Sequence, residues 1–118
     1  MNNKFEELNK TVSIEVGDFI IDLDVLIADT IILLNKKGYK TTNCCQGHPT
    51  GDDFCNSYIS FREKYNIPIP KGYKHESYPF LLRRYFLCKN NSANLQQKLI
   101  CKNAKILEEW AKNLPNNI

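Results

Sequence analysis

Residues 39–61 read YKTTNCCQGHPTGDDFCNSYISF, and three of the chain's five cysteines, one of its two histidines and an Asp pair fall within them. Tyr39–Cys45 and Ser57–Phe61 have strand composition, and the Gly-, Pro- and Asp-rich segment between them reads as an irregular loop that Gln46-Gly47 opens with a turn. Two chemical readings compete with this. Cys45-x-x-His48 with Cys55, and His75 or Cys44 as a fourth donor, supplies atoms that zinc accepts in a tetrahedron. A structural zinc site usually offers two short paired knuckles, however, and this stretch has one. Alternatively, Cys45 is a nucleophile activated by His48, an arrangement that needs a lowered thiol pKa. No oxyanion-hole pattern and no third orienting group accompany that pair. The simplest reading puts Cys44 and Cys45 on alternate faces at a strand end, at least one of them in the core. His48 is then a loop residue, solvated or touching a ligand. That reading expects no metal, no cofactor and no catalytic residue; the zinc and cysteine-enzyme alternatives stay open.

Working toward the N-terminus, DLDVLIADTIILLNKKG (residues 22–38) reads as a helix. Asp22 and Asp24 stand at its start, Lys36 and Lys37 in its last turn, and Gly38 follows as a stop. Its clearest polar positions beyond Asp24 are Asp22, Asp29 and Lys36, spaced by seven, so the polar stripe is narrow and most of the circumference is apolar. A chain this short has little to cover such a helix with, which predicts a homo-oligomer. Before it, TVSIEV (residues 11–16) alternates, Gly17-Asp18 breaks the pattern, and Phe19-Ile20-Ile21 follows, which reads as a short strand and turn or a small hairpin.

Toward the C-terminus, the Ile67-Pro68-Ile69-Pro70 run cannot donate to a sheet ladder and marks an extended connection over residues 62–72. PFLLRRYFLC (residues 79–88) is a strand, preceded by a shorter one around residues 73–76. NNSAN (residues 90–94) has turn and capping chemistry. After it Leu95, Leu99, Ile106, Leu107, Trp110 and Leu114 keep helical spacing up to Pro115. The β-α-β-β-β-α order predicts an α+β domain. It would have an antiparallel or mixed sheet of about four to five strands and two main helices at about residues 22–37 and 93–114.

The totals agree. A chain of 118 residues fits a single domain spanning residues 1–118. With 42% apolar and 25% charged residues the composition is globular. The formal charge of +3 is too mild to announce a nucleic-acid binder. Five cysteines cannot all pair within one chain. MNNKFEELNK lacks the apolar run of a signal peptide, and no apolar stretch reaches the roughly 18 residues that cross a membrane, so the expectation is a reduced, cytoplasmic protein without a membrane partner.

A second cluster is basic and aromatic: Arg62, Arg83 and Arg84 with Tyr58, Phe61, Tyr78, Phe80 and Tyr85. Adjacent strand residues face opposite ways, so Arg84 should share a face with Phe80, and Arg83 with Tyr85. Arginine offers a planar fork for phosphate and an aromatic ring a platform for a base. The candidate ligand set is therefore Arg62 and Arg83 or Arg84 for an anion, Phe80, Tyr85 or Tyr58 for a stacked base, and Gln46 and His48 as loop hydrogen-bonding groups. The bland counterpart is a solvated edge with core aromatics.

Four stretches, LLNKKGYKTTNCCQGH (residues 33–48), YISF (58–61), IPIPKGY (67–73) and LEEWAKNLP (107–115), resemble a family of small proteins of Firmicutes and their phages. The chain also resembles the phage anti-Thoeris sponge proteins of the first described type. That resemblance implies a small oligomeric α+β protein that binds a cyclic ADP-ribose-type immune signal and holds it without cleaving it. It transfers no binding residue to this chain. A protein-binding phage inhibitor of a host defence system is a further alternative.

Overall fold

The computed structural model describes residues 10–16, 19–47, 54–87 and 93–117. Two strands, β1 (Thr11–Val16) and β2 (Phe19–Asp24), pair antiparallel in a register running from Thr11↔Asp24 to Val16↔Phe19. The turn expected at Gly17-Asp18 lies outside the described residues. Helix α1 (Ala28–Lys36) follows, then β3 (Thr41–Cys45), β4 (Phe54–Phe61), β5 (Lys74–Ser77), β6 (Phe80–Leu87) and helix α2 (Ala93–Asn113). The last four strands form one antiparallel sheet in the order β3-β4-β6-β5. The fold is α+β.

The first helix starts later than its sequence suggests. Asp22 and Asp24 belong to β2, residues 25–27 turn, and α1 begins at Ala28 with no side-chain cap. Pairing with β1 takes the FIID segment into a ribbon before any helix can form. Asp24, read above as capping chemistry, instead accepts the Gln46 backbone N–H on Oδ2 at 2.9 Å. The other end of α1 behaves as written. Gly38, at φ 96°, takes the left-handed conformation that closes a helix, with Tyr39 N–H on Leu34 O at 2.9 Å and Gly38 N–H on Asn35 O at 3.1 Å.

Burial alternates along the sheet and identifies its two faces. Ile59, Phe61, Phe80, Leu82 and Phe86 are buried, whereas Tyr58, Ser60, Leu81, Arg83 and Tyr85 between them are half-buried or exposed. Both helices lie on the buried face: Ile27, Ile31 and Leu34 bracket α1, and Ile100, Leu107, Ala111 and Leu114 run down α2 and just past it. Ile32 and Leu33, on the flanks of α1, also pack against this core. The apolar excess expected on α1 is therefore largely covered within one chain.

The helix ends are tied together. The Lys37 ammonium donates to Ala111 O and Lys112 O at 2.8 Å and to Leu114 O at 2.6 Å, a cation on the carbonyls that close α2. Tyr39 donates its hydroxyl to Pro115 O at 2.6 Å. The Ile67–Pro70 connection is fastened by Trp110, whose Nε1 donates to Pro68 O at 2.7 Å. Among the described residues no helix is long and apolar enough to cross a membrane.

Candidate functional site

Strand β6 separates the two adjacent arginines onto opposite faces of the sheet. Arg83 lies on the outer face, opposite the one on which α1 and α2 pack, and β4 sets Tyr58 directly opposite it. The Arg83 guanidinium carbon stands 5.4 Å from the centre of the Tyr58 ring. Nη1 reaches the Tyr85 hydroxyl and Glu76 Oε1, each at 3.5 Å. Both contacts are at the long limit of a hydrogen bond, and the exposed ion pair contributes little. The Tyr85 hydroxyl, followed by burial acting the other way and by Glu76, leaves the guanidinium pKa raised. Its Nε is covered and has no hydrogen-bond partner, the one such buried side-chain atom among the described residues. An unmet buried donor costs about 1–3 kcal/mol, so an acceptor that drew this group around would relieve strain. Lys74 on β5 pairs with Arg83 across the next ladder and adds a second cation to the same rung. Tyr85 is half exposed, at 50%.

Arg84 points inward and is already engaged. Its Nη1 donates to Asn103 Oδ1 at 3.0 Å, and its guanidinium carbon lies 5.3 Å from the Phe86 ring centre. Asn103 Nδ2 donates to the Tyr73 hydroxyl at 2.7 Å, Tyr73 meets Ser57 Oγ at 2.7 Å, and Ser57 donates to Cys45 O at 2.9 Å. Arginine only donates and a carbonyl only accepts, so the two ends fix every intermediate direction, and Tyr73 must donate to Ser57. Burial pushes the Tyr73 phenol pKa up, against its hydrogen bonds with Asn103, which donates to it, and Ser57, which accepts from it. Gly72 makes room for the arrangement: at φ +86° a side chain is disfavoured, and a Cβ there would stand 2.7 Å from Arg84 Nε. The relay fastens the Ser57↔Arg84 rung from behind, next to the Tyr58↔Arg83 rung that carries the outer cluster.

The remaining candidates fall elsewhere. Phe80, proposed as a stacking ring, is 3% exposed and packs on Phe61 and His75 inside the core, so no base can reach its face. Gln46, proposed as a loop donor, is 1% exposed; its Oε1 accepts Leu26 N–H at 2.7 Å and so anchors the turn before α1. Both residues are structural. Arg62 is exposed just past β4, about 13 Å along the strand from Tyr58 at ~3.3 Å per residue, and is not brought to Arg83. His48 lies outside the described residues.

Two of the thiols are shifted away from the thiolate that a nucleophile needs. Burial, reinforced by Asp24 and Cys45, pushes the Cys44 thiol up to about 12. Cys45 is also raised, by burial first, with Asp24 adding to it against a lowering hydrogen bond from the Gly47 backbone. Cys55 is buried in a small cluster with Phe86 and Ile100. Among the described residues no three His, Cys, Asp or Glu side chains gather where they could hold a metal ion. His75, the suggested fourth ligand, has its Nε2 at 3.0 Å from Ser77 O.

The polar relay was the part that sequence reasoning missed, although a signal existed. Gln96 and Asn103 sit at helical spacing within the stripe Ile100, Leu107, Ala111, and a polar residue in a buried stripe must find partners. Neither family models, nor curated proteins, nor solved structures give a match to this chain.

Proposed function

We propose that this is a non-catalytic binding protein that sequesters a small nucleotide-like anion on the outer face of its sheet. The observation that carries the reading is the Arg83 guanidinium set over the Tyr58 ring and beside Tyr85, on the face opposite α1 and α2. A phosphate would replace Glu76 on Arg83, with Lys74 next to it, and a planar base would stack on Tyr58 or Tyr85. The raised thiol pKa values of Cys44 and Cys45 favour binding over covalent chemistry, because the thiolate is the nucleophile. The resemblance to phage sponge proteins supports a cyclic ADP-ribose or cyclic-nucleotide signal as ligand, an anti-defence role in the cytoplasm of an infected host, and a homo-oligomer.

The test is a mass spectrum of small molecules released when protein purified from signal-producing cells is denatured. An intact nucleotide, absent from a parallel Arg83→Ala preparation, supports the reading. Release of the same molecule from both preparations refutes the assignment to this face.

A further inference from the structure

We propose that the outer face takes a single-stranded nucleic acid through one base–phosphodiester–base step, with a base on Tyr58, the phosphate on Arg83 and the next base on Tyr85. The inference rests on the outer-face reading above and extends the ligand class of that same face from a single nucleotide to a two-base step of a strand. The order of groups carries it. Tyr58 and Arg83 are cross-strand partners, and Tyr85, paired with Asn56, follows two residues along β6, so both tyrosines adjoin Arg83. The cation reaches each of them: Arg83 stands 5.4 Å from the Tyr58 ring centre and 3.5 Å from the Tyr85 hydroxyl. A mononucleotide has one base and leaves one ring unused. A phosphodiester between two bases uses all three groups.

Stacking further selects an open strand. In a duplex each base face is already covered by its neighbours, so only bases that have left their stack can cover the tyrosine rings, which excludes a duplex and admits a single strand. The chain's mild net charge of +3 does not oppose this, because Arg83 and Lys74 bring two cations to one rung. Two phosphate contacts at most predict a shallow salt dependence, with a slope of about −0.7 per phosphate.

Fluorescence anisotropy of a labelled oligothymidylate, competed with unlabelled TpT, thymidine 5′-monophosphate and a duplex of equal length, tests the inference. The labelled strand should bind, TpT should compete, the monophosphate should compete more weakly than TpT, and the duplex should not compete. Tyr58→Ala and Tyr85→Ala should each weaken binding roughly 5- to 150-fold, the range for losing one base–aromatic stack. Tyr58→Phe and Tyr85→Phe keep the rings and should keep binding, which separates stacking from any disturbance of the fold. No binding of the oligothymidylate overturns the inference, as does capture of TpT without it. A monophosphate that competes as well as TpT, with Tyr85→Ala silent, overturns the strand reading while leaving the nucleotide reading of Tyr58 and Arg83 standing.

Discussion

Two constraints meet at Gly72: a positive φ and an arginine packed where a Cβ would go. Gly72→Ala should lower stability by about 1–3 kcal/mol in urea denaturation, the usual cost of holding an ordinary residue at such a φ, plus the clash. In the Arg84→Ala background the clash disappears and the φ cost remains, so the Gly72→Ala effect should shrink without vanishing; equal effects in both backgrounds would contradict the packing. Cys44 makes a separate prediction about pH. Its thiol is raised in the fold from an ordinary 9.0 to about 12, so between those values the unfolded chain has lost a proton that the folded chain keeps. The unfolded state then binds fewer protons, and stability must fall as pH climbs above about 9. Cys44→Ala should flatten that decline; an unchanged slope would show that other groups cause it. At this scale the sequence spoke unevenly. Strand alternation separates Arg83 from Arg84, but which face is the core depends on where α2 docks, and that docking turned Phe80 from a candidate platform into a core ring.

Among the elements, α2 depends on a residue far from it in sequence. Lys37 supplies three donors to the carbonyls that end the helix, so Lys37→Met should destabilise the protein by about 1–3 kcal/mol. It should also speed amide exchange in the last turn of α2 while leaving β4 and β6 protected. Uniform loss of protection would mean that the contact is global rather than a local cap. The order of the strands and both helices were legible because apolar spacing, prolines and Gly38 punctuate the chain, whereas β4 begins at Phe54, within the segment read as loop, because pairing with β6 extends it. The start of α1 was not, since FIIDLD satisfies a strand or the first turn of a helix equally, and pairing with β1 decides between them. The same limit hid the inner relay. Asn103 and Tyr73 lie 30 positions apart, and nothing local announces that their side chains meet.

For the whole molecule, the case for self-association changes its basis. Ile32 and Leu33 pack on the core, so α1 no longer demands a partner, and the exposed apolar side chains Val12, Val25, Ile69, Tyr78, Tyr85 and Leu95 are spread over several elements. A homo-oligomer is expected from the resemblance to oligomeric sponge proteins. Light scattering across a concentration series should report a mass above 13.7 kDa, and a constant monomer mass would refute it. The central claim is that the outer face binds a nucleotide-like anion without turning it over. It is tested by incubating wild type, Arg83→Ala, Arg84→Ala and Cys45→Ser with cyclic ADP-ribose isomers and cyclic nucleotides, then removing unbound ligand, denaturing the protein and analysing what is released. The account predicts unchanged ligand from wild type and Cys45→Ser, and an affinity lowered roughly ten- to a hundredfold in Arg83→Ala, about 1.5–3 kcal/mol for a charge-assisted hydrogen bond. Arg84→Ala should mainly cost stability. A hydrolysed product that Cys45→Ser fails to form, or binding lost in Arg84→Ala and kept in Arg83→Ala, would contradict it.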